Sequence, residues 1–286
     1  YADGEFLLMR ARNSDMDYAI NGSNAGLGTV GPINSLNYQL GAGLRTELGY
    51  RFGAQGKWEA AFAYTYFGDH AGNLLVAGPG QVLYPTITRP GLTDTAQSAN
   101  ASANLNYNLF DLIIGRSVMV DENFALRWLG GFRFTDIRQN YSVGFNGDDA
   151  RQDAVNTRSR FQGFGPIVGL EAVLGGWHGL HMYARATVGL ISGLSSNALM
   201  ETNDAGATTY VNTSNDVRKV VPTGSLAIGG GWQYRTLSIR AGYQITYWDG
   251  VFERPRFTDD VTPGKLVTRP SNLTLEGVFF QVGLSF

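Results

Sequence analysis

From Leu40 to Phe52 the apolar residues fall on every second position. Leu40, Ala42, Leu44, Thr46, Leu48, Tyr50 and Phe52 share one parity, and Gly41, Gly43, Arg45, Glu47, Gly49 and Arg51 share the other. A strand sends alternate side chains to opposite faces, whereas a helix would scatter these residues around its axis. The alternation returns at Trp58, Ala60, Phe62, Tyr64 and Tyr66, at Phe124, Leu126, Trp128, Phe132 and Phe134, and from Leu237 to Tyr247. It returns last at Val278, Phe280, Val282, Leu284 and Phe286. Less regular strands are predicted near 3–12, 102–118, 160–174, 180–193 and 221–234, which brings the count to ten. The parity of 3–12 is ambiguous. In 102–118 it slips around Leu109, Phe110 and Asp111, as a β-bulge would cause.

The predicted connections alternate strictly in length. Long ones cover 13–34, 68–100, 138–159, 194–219 and 250–272, and short ones cover 53–56, 119–123, 175–179 and 235–236. An even number of strands with long loops at one end and short turns at the other is the layout of an outer-membrane barrel. The apolar rows also end in aromatic residues. Tyr50, Phe52, Trp58, Phe124, Trp232, Tyr234 and Phe286 lie near the short turns, and Tyr64, Tyr66, Phe134 and Tyr247 lie near the long loops. Two aromatic bands flanking aliphatic residues match the girdles of a membrane-crossing barrel. The opposite face is small or charged, which suits a crowded lumen. In a soluble sandwich the same charged face would simply meet water. The pattern therefore predicts an all-β fold: one antiparallel up-and-down transmembrane β-barrel over 1–286, with long extracellular loops, short periplasmic turns and both termini periplasmic.

Composition changes this picture little. The chain has 286 residues, 38 of them Gly and only 16% charged, so a single large β unit fits better than two small domains. The net charge of −2 gives no basic field for nucleic acid. There is no Cys, which removes disulfides, thiolate zinc sites and thiol nucleophiles. No run approaches the roughly 20 apolar residues of a membrane-spanning helix. Tyr1–Arg10 has neither a basic start nor a long apolar core, so the chain is read as mature.

Several segments carry a family likeness. The terminal strand, with Val282, Leu284 and Phe286, resembles the assembly signal of bacterial outer-membrane barrels, and the resemblance implies the barrel-assembly machinery as a partner. GLRTELGYRF (43–52), LNYNLFDLIIGR (105–116), LGGFRF (129–134), FGPIVGLE (164–171) and LEGVFFQVGLSF (275–286) together resemble the Legionella major outer-membrane-protein family of pore-forming barrels. The likeness covers most strands and leaves the long loops aside. It implies a bacterial outer-membrane location and a porin-like role.

If the charged rows point inward, the pore lining is Arg45, Glu47, Arg51, Lys57, Glu59, Arg127, Arg133, Glu171, Arg185 and Arg240. Seven cations against three anions would favour small anions in a water-filled passage. About ten strands is nevertheless close to the eight whose interior side chains can fill, so an open and a plugged lumen both stand. The leading expectation is passive passage of small solutes. The alternative is a closed structural barrel that docks to partners through its loops or wall. A third class is a hydrolase at the outer mouth using Asp69 and His70, which one dipeptide does not carry, so no enzymatic activity is expected. No cofactor or metal is expected: His178 and His181 fall on opposite faces, and Asp148-Asp149 and Asp259-Asp260 lack calcium-loop spacing. Expected partners are outer-membrane lipid and lipopolysaccharide. A homo-oligomer or another membrane protein stays open.

Overall fold

The computed structural model describes residues 1–23, 29–53, 57–121, 123–262 and 264–286. Parts of four predicted connections, at 24–28, 54–56, 122 and 263, lie outside the described residues. The strands are β1 (Ala2–Asn13), β2 (Asp17–Ser23), β3 (Ile33–Ser35), β4 (Leu40–Phe52), β5 (Trp58–Val76), β6 (Gln81–Pro85) and β7 (Ser98–Met119). They continue with β8 (Phe124–Gly147), β9 (Ala150–Gly175), β10 (Leu180–Asn203), β11 (Thr208–Tyr234), β12 (Leu237–Phe257) and β13 (Leu266–Leu284).

Ten of these form one antiparallel sheet in the order β1-β13-β12-β11-β10-β9-β8-β7-β5-β4. The sheet closes because β1 pairs on both sides: Phe6 lies opposite Phe280 on β13 and opposite Leu44 on β4. No strand edge is left to solvate along the paired stretch. The remaining strands make a small sheet, β3-β2-β6, at the end of the barrel where the strands are longest.

Two sequence expectations need correction. Residues 138–159 and 194–219 are not long loops, 68–100 is ladder strand through Val76 and again from Ser98, and 250–272 is ladder strand through Phe257 and again from Leu266. The β8–β9 ladder runs to a tight turn at Asp148-Asp149, and the β10–β11 ladder runs to a single 3-10 turn at Asp204–Gly206. Nor does β7 slip at Leu109-Phe110-Asp111, since its register with β5 and β8 is continuous there.

One cause explains both errors. On β7 the outward residues Phe110, Leu112 and Ile114 give way to Asn108, Asn106 and Asn104, while the inward side turns from Asp111 to Leu109, Tyr107 and Leu105. The backbone parity is constant; the polarity of the faces inverts. The same inversion occurs on β8, where exposed Phe132 and Phe134 are followed by outward Asp136, Arg138 and Asn140 and by buried Ile137, Tyr141, Val143 and Phe145. An apolar outer wall with a polar interior is thus continued by a polar outer wall with an apolar interior. Read as sequence, the first change looks like a bulge and the second like a loop.

Large side chains fill much of the interior. Phe67, Phe161, Ile137, Ile191 and Trp248 are fully buried inside the ring, together with Leu7, Met9 and Tyr107. Glycine permits this at narrow points. A Cβ on Gly131 would overlap the Leu112 carbonyl oxygen of the neighbouring strand, and one on Gly165 would overlap that of Leu190.

Candidate functional site

The lumen divides into three layers. The first, in the half of the barrel near the short turns, is ionic. Glu171, on β9 and almost fully buried, is its hub. It accepts from Arg185 Nε at 2.6 Å, from Arg127 Nη1 at 3.2 Å and from Arg240 Nη1 at 3.4 Å. Arg127 also pairs with Glu59 and approaches Glu47 at 3.8 Å. The Tyr1 hydroxyl donates to Glu47 at 2.7 Å. Arg45 reaches Glu5 at 2.9 Å and donates to Thr65 and Gln244. Arg133 grips Asp111 through two parallel bonds of 2.8 and 2.7 Å, the fork geometry that makes such pairs strong. A cavity of about 60 Å³ lies among these groups, lined in part by Glu5, Arg45, Asp111, Arg133 and Arg185. That is room for a few waters.

The second layer is apolar and crosses the barrel. Trp248 on β12 packs edge-to-face on Tyr107 of β7, with ring centroids 6.0 Å apart, and its indole N–H donates to the Tyr107 hydroxyl at 3.1 Å. β7 and β12 are five places apart around the ten-strand ring, so this contact spans the lumen.

The third layer closes the outer mouth with the chain between β1 and β4. Met16, Tyr18, Leu36 and Tyr38 are buried against the barrel interior. Gln139 on β8 donates to the Tyr38 hydroxyl at 3.0 Å and accepts from Asn13 at 2.9 Å. Arg254 and Arg256, on the outer extension of β12, hold both Asp15 and Asp17 at 2.5 to 3.2 Å. Burial alone would push the Asp17 carboxyl up, but its bond to Arg256 and the charges of Arg256 and Arg254 outweigh that and hold it below its ordinary range.

The sequence-predicted lining is therefore unevenly placed. Arg45, Glu47, Glu59, Arg127, Arg133, Glu171, Arg185 and Arg240 lie together inside the ring. Arg51 and Lys57 do not join them. Both are exposed at the rim, where Arg51 lies over the Tyr1 ring at 5.1 Å from its centroid. Strand alternation extended to these end residues had placed them too deep. Glu5 and Asp111 were missed. Each is an acidic residue within an otherwise apolar run, at a position whose facing the sequence left ambiguous. The expected excess of lumenal cations is corrected accordingly. The ion-paired layer holds five arginines, Arg45, Arg127, Arg133, Arg185 and Arg240, against five carboxylates, Glu5, Glu47, Glu59, Asp111 and Glu171.

Asp69 and His70 cannot act as a couple in the lumen. They are strand neighbours on β5, so Asp69 points inward and buried, while His70 is exposed on the outer wall. Among the described residues no group of three His, Cys, Asp or Glu side chains could hold a metal. The Asp148 and Asp149 carboxylates accept from Gln97 and Thr95, and Asp259 accepts from the Val261 and Thr262 amides. Val282 and Leu284 face outward at the end of β13, beside exposed Phe286.

The fold is similar to that of solved outer-membrane barrels. The outer-membrane protease OmpT of Escherichia coli superposes with a TM-score of 0.55 at 11% identity, over 99% of this chain and 96% of that one. A FadL homologue of Pseudomonas aeruginosa aligns over 99% of this chain and 89% of that one, at 9% identity and a TM-score of 0.25. Among curated proteins none matches this sequence. The OmpT likeness, at such low identity, speaks for the fold alone. The family is given by the sequence over residues 2–286: this chain belongs to the outer-membrane-protein family described as the Legionella pneumophila major outer membrane protein precursor.

Proposed function

We propose that this protein spans the bacterial outer membrane as a closed barrel and acts as a structural and interaction platform, presenting its outer surface instead of conducting solutes. The observation that carries this reading is the Trp248–Tyr107 contact across the lumen, stacked on a charge-balanced ionic layer. The cavity among the ionic groups is only about 60 Å³, and paired charges in a narrow interior are stable only while they stay paired.

The outer wall supports the membrane placement. On β8 the outward apolar residues run from Phe124 to Phe134. Ten steps of about 3.4 Å at a tilt near 40° give a band roughly 25 Å tall, which matches the hydrocarbon-facing band of outer-membrane barrels. Exposed Phe110, Phe132, Phe134 and Phe164 would mark the outer interface, and Trp128, Trp232 and Tyr234 the periplasmic one. In this orientation the termini lie on the periplasmic side, and the terminal strand with Val282, Leu284 and Phe286 is available to the assembly machinery.

The test is conductance of the purified, refolded protein in a planar bilayer under a salt gradient, with insertion verified by heat-modifiable migration on a gel. An inserted but silent barrel supports the reading. Discrete, reproducible steps would overturn it and restore the passage of small solutes.

A further inference from the structure

We propose that the outer wall of β8–β11, just above the apolar band, binds the phosphorylated headgroup of a glycolipid in the surrounding leaflet. The proposal rests on the membrane-barrel reading and adds a site and a ligand class to it.

The wall changes character abruptly there. Above outward Phe134 on β8 come Asp136 and Arg138, and above Phe164 on β9 come Gln162, Arg160 and Arg158. Arg138 lies opposite Arg160, and both guanidinium groups rest on the single carboxylate of Asp136, at 2.5 to 3.2 Å. One carboxylate between two guanidinium groups leaves a positive charge over. Arg158 and, two strands on, Arg218 are exposed, and neither has an ion pair or hydrogen bond among the described residues. Against these four arginines the patch has Asp136 and Asp216 alone, so it carries two net positive charges. On the opposite wall the outward cations Arg10 and Arg12 of β1 have Glu276 beside them: it pairs with Arg12 and lies opposite Arg10 in the β1–β13 ladder.

Depth and chemistry choose the occupant. The cations form the first polar rows above an aromatic shelf, where Phe132 and Phe164 stack with centroids 5.2 Å apart. Acyl chains fit the shelf below, and phosphoryl oxygens fit the guanidinium forks above. Between the cations stand neutral Asn140, Asn156, Ser196 and Ser214, which suit sugar hydroxyls. A soluble anion would have no use for the shelf, and a simple anionic phospholipid would have none for the neutral donors.

The experiment uses the full chain refolded in phosphatidylcholine vesicles. The vesicles are doped with bis-phosphorylated lipid A, with enzymatically dephosphorylated lipid A, or with phosphatidylglycerol. Lipid retained per barrel is measured by native mass spectrometry after exchange into detergent. Lipid A should be retained selectively, and the double variant Arg158→Gln/Arg218→Gln should lose retention by roughly tenfold or more. That variant keeps the Asp136 pairs, so its folding can be checked by heat-modifiability. Equal retention of the dephosphorylated lipid or of phosphatidylglycerol, or undiminished retention by a folded variant, overturns the proposal. Failure of the wild type to insert would instead strike the membrane reading beneath it.

Discussion

Trp248 and Tyr107 meet in the middle of the barrel from opposite walls, joined by an N–H···O bond of 3.1 Å and an edge-to-face contact. Both are buried, so the bond has no water to replace it. Tyr107→Phe removes the acceptor, strands the indole N–H and should cost about 1–3 kcal/mol. Trp248→Ala removes the whole cross-piece and should cost about 3–5 kcal/mol. Urea titration of heat-modifiability would check the order. A Trp248→Ala barrel as stable as wild type would mean that the lumen is not held by this contact.

Arg133 and Asp111 form the most isolated ion pair of the interior. Asp111→Asn should be strongly destabilising, by about 3–5 kcal/mol, because it leaves a guanidinium buried without its counter-charge. The double variant Asp111→Leu/Arg133→Met removes both charges and should recover most of that loss. A double-mutant cycle in unfolding free energy measures the difference. Additive losses would show that the pair is effectively solvated by its neighbours.

These two interior contacts differ in how far they could be read in advance. Arg133 was legible because it alternates with Phe132 and Phe134. Its partner Asp111 was not, because the polarity of β7 inverts within a few residues of it and an inversion looks like a slipped register. The strand count and the closure of β13 on β1 were legible, since the apolar outer wall keeps one parity over its whole height. The upper third of the barrel was not: outward Arg138, Asn140 and Ser142 have the composition of a loop, and only the ladder shows that they are strand. Trp248 follows the alternation: its odd spacing from outward Tyr243 and Tyr247 puts it on the inward row with Gln244 and Thr246, before the β12–β13 register shifts. Its partner Tyr107 on the opposite wall could not be read, because no sequence spacing relates strands five places apart around the ring.

Glu171 pairs with three interior arginines, Arg127, Arg185 and Arg240. Glu171→Gln should leave Arg185 and Arg240 facing each other without a counter-charge, while Arg127 keeps Glu59. Mutual repulsion then adds to the lost bonds, and a loss of about 3–5 kcal/mol is expected. The variant should be more sensitive to low than to high salt, because added anions can screen the freed cations. If the variant conducts at all, its current should be anion-selective, whereas cation selectivity would mean that the ionic layer is organised differently.

At the outer end, Glu201 on β10 holds down the chain after β6. Its Oε2 accepts the Arg89 amide at 2.8 Å, and nearby Asp153 accepts from the Thr93 hydroxyl at 2.6 Å. Glu201 is almost fully buried, and burial, with the Asp153 charge adding to it, pushes its pKa up to about 7; burial likewise pushes Asp153 up. The sign follows from proton counting. Between the ordinary value of 4.5 and about 7 the folded protein holds a proton that the unfolded chain has released, so stability falls as pH rises through that window. Below it both states are protonated, and above it the penalty is constant, on the order of 3 kcal/mol at most. Amides of residues 88–93 should therefore exchange hydrogen faster above pH 7 than below pH 5, after correction for intrinsic rates. Glu201→Gln keeps a carbonyl for the Arg89 amide and cannot ionise, so it should flatten the dependence. The same pH profile in wild type and variant would sink the assignment to Glu201.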